Sequence, residues 1–354
     1  MKKLTAALFV LLAGATAAFV ASRLHGRIHQ PFQGYATQDQ LVEIPSGAGS
    51  SAIGHRLVES GVVRDELTFR VALRLSGNAR RLQAGEYRFD RPLSAVEVVE
   101  KIVRGDVALV NLTFREGLTI NEMSEVFDAA GFGRATTFIE AAANVALISD
   151  LDGEAEDLEG YLFPDTYALP RRSDASQVVQ VMIDRFEEVL TPELQRAASE
   201  RALSVRELVT LASLVEKETG REDERTVVAA VYHNRLRIGM GLQCDPTVIY
   251  ALQKAGRWDG NLRRVDLTFD SPYNTYRYPG LPPGPVAAPG RGSLLAAANP
   301  SDDDYLYFVS RNDGSHAFAR TLTEHNRNVQ RFQVQYFRDQ RRAARESAAA
   351  AAGR

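Results

Sequence analysis

Between Ser271 and Gly290 the chain reads SPYNTYRYPGLPPGPVAAPG, with six prolines and three glycines in twenty residues. Each proline lacks the backbone donor that a helix interior or a central strand requires, so no regular element can pass through this stretch. The flanking sequence must fold as separate elements around a long irregular segment. Connections of this length without secondary structure are uncommon inside compact domains and tend to be functional. Tyr273, Asn274, Thr275 and Tyr276 offer flat apolar faces, hydroxyls and an amide, groups suited to stacking on sugar rings and bonding their substituents. The alternative is a stiff structural loop whose tyrosines pack inward.

A second constraint lies upstream. Leu211 to Gly220, LASLVEKETG, is an apolar helical run that ends in two acids, Glu216 and Glu218. At about 100° per residue Glu218 falls between Leu211 and Leu214 on the helical wheel, and Glu216 near Val209 and Ala212. A carboxyl at the edge of a buried stripe is expensive to desolvate, so it acquires a partner or a shifted pKa. Glu218 is nearer the helix end, where a cleft can reach it, and there it would suit a general acid. Solvated charges at a helix end are the plain alternative for both.

The chain has 354 residues, 45 % hydrophobic and 25 % charged, with a formal net charge of −3. That length allows one large domain or two. The balance of charge gives no footprint for nucleic acid. A single cysteine, Cys244, excludes an intrachain disulfide and a cysteine-based zinc cluster, and the six histidines show no metal-ligand spacing. No metal and no cofactor are expected. Lys2 and Lys3 precede Leu4–Ser22, nineteen residues without a charge, followed by Arg23 and Arg27. This length just crosses a hydrocarbon core of about 30 Å. Ala15-Thr16-Ala17 resembles a signal-cleavage pattern but lies inside the run, which favours a retained single-pass anchor with a cytoplasmic N-terminus.

After the run, residues 29–40 read as a linker. Leu41–Ile44 reads as a strand, and helices follow near Ser51–Ser60 and Asp65–Leu75. Ala84–Phe89 is a second strand, and Ser94 and Glu97 form a capping box for a helix to Arg104. A similar strand, glycine turn and helix recurs over Leu109–Gly131. Further on, Ser204 and Glu207 open the helix that carries Glu218. Glu222–Arg237 reads as another helix, and Asp245-Pro246-Thr247 as a helix start with Asp245 at the cap.

Several motifs, in order, resemble the YceG/MltG-like endolytic murein transglycosylases. They are EGYLFPDTY (159–167), ASLVEKET (212–219), NRLRIGMGLQCDPTVIYAL (234–252), YNTYRYPGLPPGP (273–285), AAANP (296–300), YLYFV (305–309) and Gly314-Ser315-His316-Ala317-Phe318. The resemblance covers about residues 41–332. Cys244 departs from it, since the family more often has threonine there.

The resemblance implies an α+β chain with an N-terminal transmembrane helix, a small LysM-like α+β module and a larger mixed α+β catalytic domain. The implied boundaries are 1–28 for the cytoplasmic N-terminus and anchor, 29–40 for the linker, 41–108 for the module, 109–337 for the catalytic domain and 338–354 for a basic, Ala-rich tail. The implied reaction is lytic cleavage of the β-1,4 bond between N-acetylmuramic acid and N-acetylglucosamine, with Glu218 as the essential glutamate. A sugar that attacks itself through its C6 hydroxyl needs one acid/base group, where a hydrolase needs two carboxylates. Gln243, Asp245, Tyr273, Asn274 and Tyr276 are the candidate glycan contacts, with a helix cap as the alternative for Asp245. Glu216 joins the substrate site as a like charge that raises the pKa of Glu218, or is a salt-bridge partner of an arginine. His316 reads as a structural hydrogen-bonder. The implied partners are peptidoglycan strands, the membrane and peptidoglycan synthases, with the catalytic domain in the periplasm of a bacterial inner-membrane protein. A water-using muramidase and a non-catalytic glycan-binding scaffold are the competing readings.

Overall fold

The computed structural model describes residues 2–342 and 344, and for residues 2–8 and 10 the backbone alone. The chain divides into two compact units. The first comprises residues 1–111 with 168–173, the second 112–167 with 174–354.

The first unit opens with α1 (Lys2–His29). It continues through β1 (Gln40–Ile44), α2 (Ser50–Glu59), α3 (Glu66–Ser76), β2 (Gly85–Phe89) and α4 (Ala95–Arg104). The two strands pair antiparallel with Val42 opposite Tyr87, which puts alternate apolar residues on one face. That face and the apolar stripes of α2, α3 and α4 share a core of Val42, Ile44, Ile53, Leu57, Phe69, Tyr87, Phe89, Val98, Val99 and Ile102. Asp65 caps α3 by accepting from Thr68 N at 2.8 Å, and Ser94 with Glu97 closes the predicted capping box on α4. Residues 29–40, expected as a linker, are fastened to this module. Phe32 N donates to Leu93 O at 3.0 Å and Gly34 N to Gly61 O at 2.7 Å.

Helix α1 runs unbroken into the module, where Ile28 is buried. Higher up, Phe9, Leu11, Leu12, Phe19 and Val20 are exposed. Among the described residues no helix is long and apolar enough to cross a membrane. The uncharged run Leu4–Ser22 includes residues 4–8 and 10, whose side chains lie outside the description.

Another two-stranded sheet pairs β3 (Leu109–Thr113) with β4 (Thr166–Pro170). The second unit carries α5 (Ile120–Ala129), α6 (Ala135–Ala142), α7 (Ala175–Val189), α8 (Pro192–Glu200), α9 (Val205–Glu218), α10 (Arg225–Arg237), α11 (Asp245–Lys254) and α12 (Arg291–Ala298). After these come β5 (Tyr307–Ser310), β6 (His316–Ala319) and α13 (Leu322–Val329). The expected helix from Glu222 begins as a 3-10 turn over Glu222–Glu224 and becomes α-helical at Arg225.

Helix α9 is the axis of this unit, with every residue from Leu208 to Val215 buried. Helices α10 and α12 pack against it. The buried face of α12 is Ser293, Leu294, Ala296, Ala297 and Ala298, small enough for two helices to approach closely. Strands β5 and β6 form an antiparallel hairpin with Val309 opposite Ala317. The architecture is therefore mixed α+β, mostly helical with small sheets. Of the predicted tail, residues 343 and 345–354 lie outside the described residues.

Candidate active site

Glu218 is the last residue of α9. The helix starts on a capping box in which the Glu207 carboxylate accepts from Ser204 N at 2.9 Å while Ser204 Oγ accepts from Glu207 N at 3.2 Å. It stops when Thr219 turns to extended backbone at φ −139°. The stop leaves Glu218 half-buried at the open end of an otherwise buried helix. Burial raises its pKa above the usual carboxylate range. The nearby charge of Asp245 adds to the rise, while Cys244, Tyr232 and His316 oppose it. A carboxyl so placed keeps its proton further toward neutrality, as a general acid requires.

Asp245 and Tyr276 stand beside it. The Tyr276 hydroxyl donates to Asp245 Oδ1 at 2.6 Å, tying the irregular loop to the first turn of α11. Asp245 does not cap that helix. Cys244 holds the cap position and no side chain bonds the end, while Asp245 is the first helical residue and its Oδ1 accepts from Tyr276. Gln243 has an exposed side chain and a left-handed backbone at φ 50°, and its N–H donates to Thr275 O at 3.2 Å.

Three candidates have their polar groups or rings engaged elsewhere. Asn274 is fully buried, its amide nitrogen donating to Leu267 O at 3.0 Å and Phe269 O at 2.7 Å, and its oxygen accepting from Tyr276 N at 3.0 Å. It shapes the loop and has no group left for a sugar. Tyr273 packs on Tyr250, with ring centroids 5.0 Å apart, and beneath the Lys254 ammonium. Glu216 turns to the start of α12, where Oε2 accepts from Gly290 N at 3.0 Å and Ser293 Oγ at 2.7 Å, with Arg225 at 3.7 Å from Oε1. Of the two expectations for Glu216, the arginine partner is present as Arg225.

The Pro-rich segment lies along α9 and is held at three levels of it. Arg206 Nε donates to Pro283 O at 2.7 Å, Val286 N donates to Ser213 Oγ at 3.1 Å, and Gly290 N meets Glu216. Arg206 is itself fixed by two bonds from Nη1 to the buried Asp152 carboxylate, at 2.8 and 3.0 Å. Gly160, in the EGYLFPDTY turn, closes on the same segment at φ +84°. A Cβ there would lie 2.4 Å from Pro285 Cβ, so glycine is required by both conformation and space.

Several groups around Glu218 were given no place in the candidate site by the sequence, among them His316, which reads there as a structural hydrogen-bonder. His316, at the start of β6, is gripped by Glu224. Its N–H donates to Oε1 at 2.9 Å and Nδ1 lies 2.6 Å from Oε2. These residues are 92 apart in the chain, so no local spacing joins them. Arg235, buried, donates to Leu306 O at 2.7 Å and Leu242 O at 2.5 Å, anchoring the segment that leads into α11 and the one that leads into β5. Tyr232 lies one turn before Arg235 on α10 and faces the acid. Its sequence context, the apolar run Val227–Tyr232, marks it only as core. Further away, Glu159 is buried against Ile120 N at 3.2 Å, and burial pushes its pKa up to about 8. It lines a separate cavity of about 570 Å³ with Tyr250, Lys254 and Trp258. Among the described residues no group of three or more His, Cys, Asp or Glu is placed to hold a metal ion.

Comparison with known proteins agrees with the motif order. The profile of the YceG-like family matches residues 42–331. A Bacillus subtilis (strain 168) protein named endolytic murein transglycosylase is 32 % identical over 311 residues, covering 82 % of this chain and 84 % of that protein. A Streptococcus pneumoniae (D39) protein of the same name is 30 % identical over 320 residues, and there the match spans 81 % of this chain but 57 % of the relative. A crystal structure described as a YceG-like protein of Listeria monocytogenes superposes with a TM-score of 0.57 at 29 % identity, over 82 % of this chain and 98 % of that one.

Proposed function

Since the chain belongs to the YceG-like family, we propose that it is an endolytic lytic transglycosylase of peptidoglycan. The observation that carries this reading is one half-buried carboxylic acid, Glu218, with a raised pKa at the open end of α9 and no second carboxyl in its own hydrogen-bond shell among the described residues. Glu218 protonates the glycosidic oxygen, and the bond from that oxygen to C1 of N-acetylmuramic acid breaks. The resulting Glu218 carboxylate then accepts the proton of the C6 hydroxyl as that oxygen bonds C1. A 1,6-anhydromuramyl end forms, no water is consumed, and Glu218 is again protonated. The intramolecular nucleophile brings the advantage of proximity with it.

The water-using alternative requires a second carboxylate as base or nucleophile. Asp245 is the nearest candidate by its effect on Glu218, but its Oδ1 is engaged by Tyr276. Digestion of purified murein by the full chain in detergent, followed by mass spectrometry, separates the two. Lytic cleavage gives anhydro ends, and hydrolysis gives reducing ends heavier by one water, about 18 Da. Glu218→Gln is expected to abolish cleavage while the protein stays folded. Full cleavage by that variant refutes the assignment, and full complementation of function in cells by it would favour a non-catalytic scaffold.

The same reading extends to the cell. The nineteen uncharged residues at the start, within a continuous helix whose Phe9, Leu11, Leu12, Phe19 and Val20 face outward, support a single-pass anchor in the inner membrane with the catalytic unit in the periplasm. The strand–helix–helix–strand order of the first unit supports a LysM-like, glycan-binding module. An enzyme tethered at the membrane surface would meet newly made strands and end their elongation, beside the synthases that make them. Fractionation of cells tests the anchor, and labelling of nascent glycan in a depleted strain tests the timing.

A further inference from the structure

Tyr232 is 1 % exposed, on α10, with its ring edge-on to Phe308 at 6.2 Å between centroids. Its hydroxyl stands beside the Glu218 carboxyl and the Cys244 thiol. It lies within reach of both, yet among the described residues it completes no hydrogen bond of proper distance and angle with either of them or with any other group. A buried hydroxyl without a partner lowers stability, and phenylalanine would fill the same space without that loss. The expense is explained if the partner exists only during the reaction.

We propose that Tyr232 is a positioning residue of the acid/base cycle, whose hydroxyl takes up the Glu218 carboxylate once the glycosidic oxygen has been protonated and holds it aimed at the sugar until it accepts the C6 proton. The proposal rests on the reading of Glu218 as the acid. Proton and bond changes stay with the reactants. The Glu218 proton moves to the leaving oxygen, the C1–oxygen electron pair leaves with it, and the C6 proton returns to Glu218 as C6 oxygen bonds C1. The Tyr232 proton is donated in a hydrogen bond and never transferred. Burial, with Cys244 and Glu218 adjacent, holds the phenol well above its ordinary pKa, so it stays a neutral donor at any working pH. The donor is needed in the middle of the cycle, when a carboxylate stands in a site that disfavours charge.

The groups that act on Glu218 come from four directions. Tyr232 and Arg235 lie on α10, Cys244 and Asp245 at the start of α11, Tyr276 in the loop and His316 on β6. Only Tyr232 among them combines full burial with an orphaned side-chain oxygen.

The test is Tyr232→Phe in the full chain, assayed on murein across pH and melted alongside wild type. We expect a melting temperature equal to or above wild type together with a kcat lower by about ten-fold or more. The alkaline limb of kcat/KM should move to higher pH, because Glu218 loses a donor that favours its charged form. A kcat within about two-fold of wild type with an unmoved limb overturns the proposal. So does a fall in melting temperature with no shift of the limb, since that is the behaviour of a packing residue. Glu218→Gln is run in the same assay. If it is active, the acid assignment fails and the role of Tyr232 falls with it. If it is inactive while Tyr232→Phe behaves as wild type, only the positioning role is refuted.

Discussion

The hydroxyl of Tyr276 donates to Asp245 Oδ1 at 2.6 Å, and through this one bond the irregular loop and helix α11 present a fixed negative charge near Glu218. A like charge nearby makes the Glu218 carboxylate harder to form, which strengthens it as a proton donor near neutral pH. Tyr276 pays for its place, because burial and Asp245 raise its own pKa and keep it a donor.

Replacing that charge has a definite sign. Asp245→Asn removes a neighbour that raises the pKa of Glu218, so the alkaline limb of kcat/KM should move to lower pH. This is opposite to the shift expected for Tyr232→Phe. A pH–rate profile of the two variants side by side checks it, and limbs that move together contradict the electrostatic assignment.

Glu159 makes stability depend on pH. In the fold its pKa is about 8 against an ordinary 4.5, so the folded chain holds a proton that the unfolded chain releases. Its contribution is complete below about pH 4.5 and is lost as pH rises through 8, at up to about 1.4 kcal/mol per pH unit. Glu159→Gln should flatten that part of the curve. Urea unfolding at pH 5 and pH 8 provides the comparison, and equal slopes for variant and wild type would contradict the buried-acid assignment.

Glu216 ties the end of α9 to the start of α12. Glu216→Ala leaves Arg225, Ser293 Oγ and Gly290 N without their acceptor, and Arg225 Nε already lacks a partner among the described residues. Loss of about 3 kcal/mol is expected by denaturant unfolding. Glu216→Gln, which can still accept from Gly290 and Ser293, should lose less.

Gly160→Ala tests the close approach between the EGYLFPDTY turn and Pro285. The added methyl collides with the ring at 2.4 Å in a backbone conformation unfavourable to alanine. We expect a loss of more than about 2 kcal/mol in unfolding experiments, together with reduced murein cleavage from a displaced loop. A variant as stable and active as wild type would show that the loop tolerates the shift.

The parts of this arrangement legible in sequence were those written in local spacing. Helical periodicity and the Ser204–Glu207 pair located α9 and ended it at Glu218, and the density of proline marked Ser271–Gly290 as irregular. The same logic failed where the decisive partner is remote. Tyr273, Asn274 and Tyr276 are neighbours in a motif, yet one packs on Tyr250, one bonds its own loop and one reaches Asp245. Adjacent residues in an irregular segment have no common face, so composition alone could not sort them. Residues 29–40 read as a linker because they are polar, while two backbone hydrogen bonds, invisible to composition, fasten them to the first module. The Glu224–His316 pair and Tyr232 required the folded helices and hairpin to exist first.

The three ties between α9 and the Pro-rich segment have a kinetic meaning. Val286 and Gly290 keep their amide hydrogens only while Ser213 and Glu216 hold them, and those residues lie on the helix that ends in the acid. Peeling the segment away would unprotect both amides and expose the flank of that helix in one event. The exchange rates of these two hydrogens would therefore report how often the enzyme, at rest and without substrate, takes itself out of service.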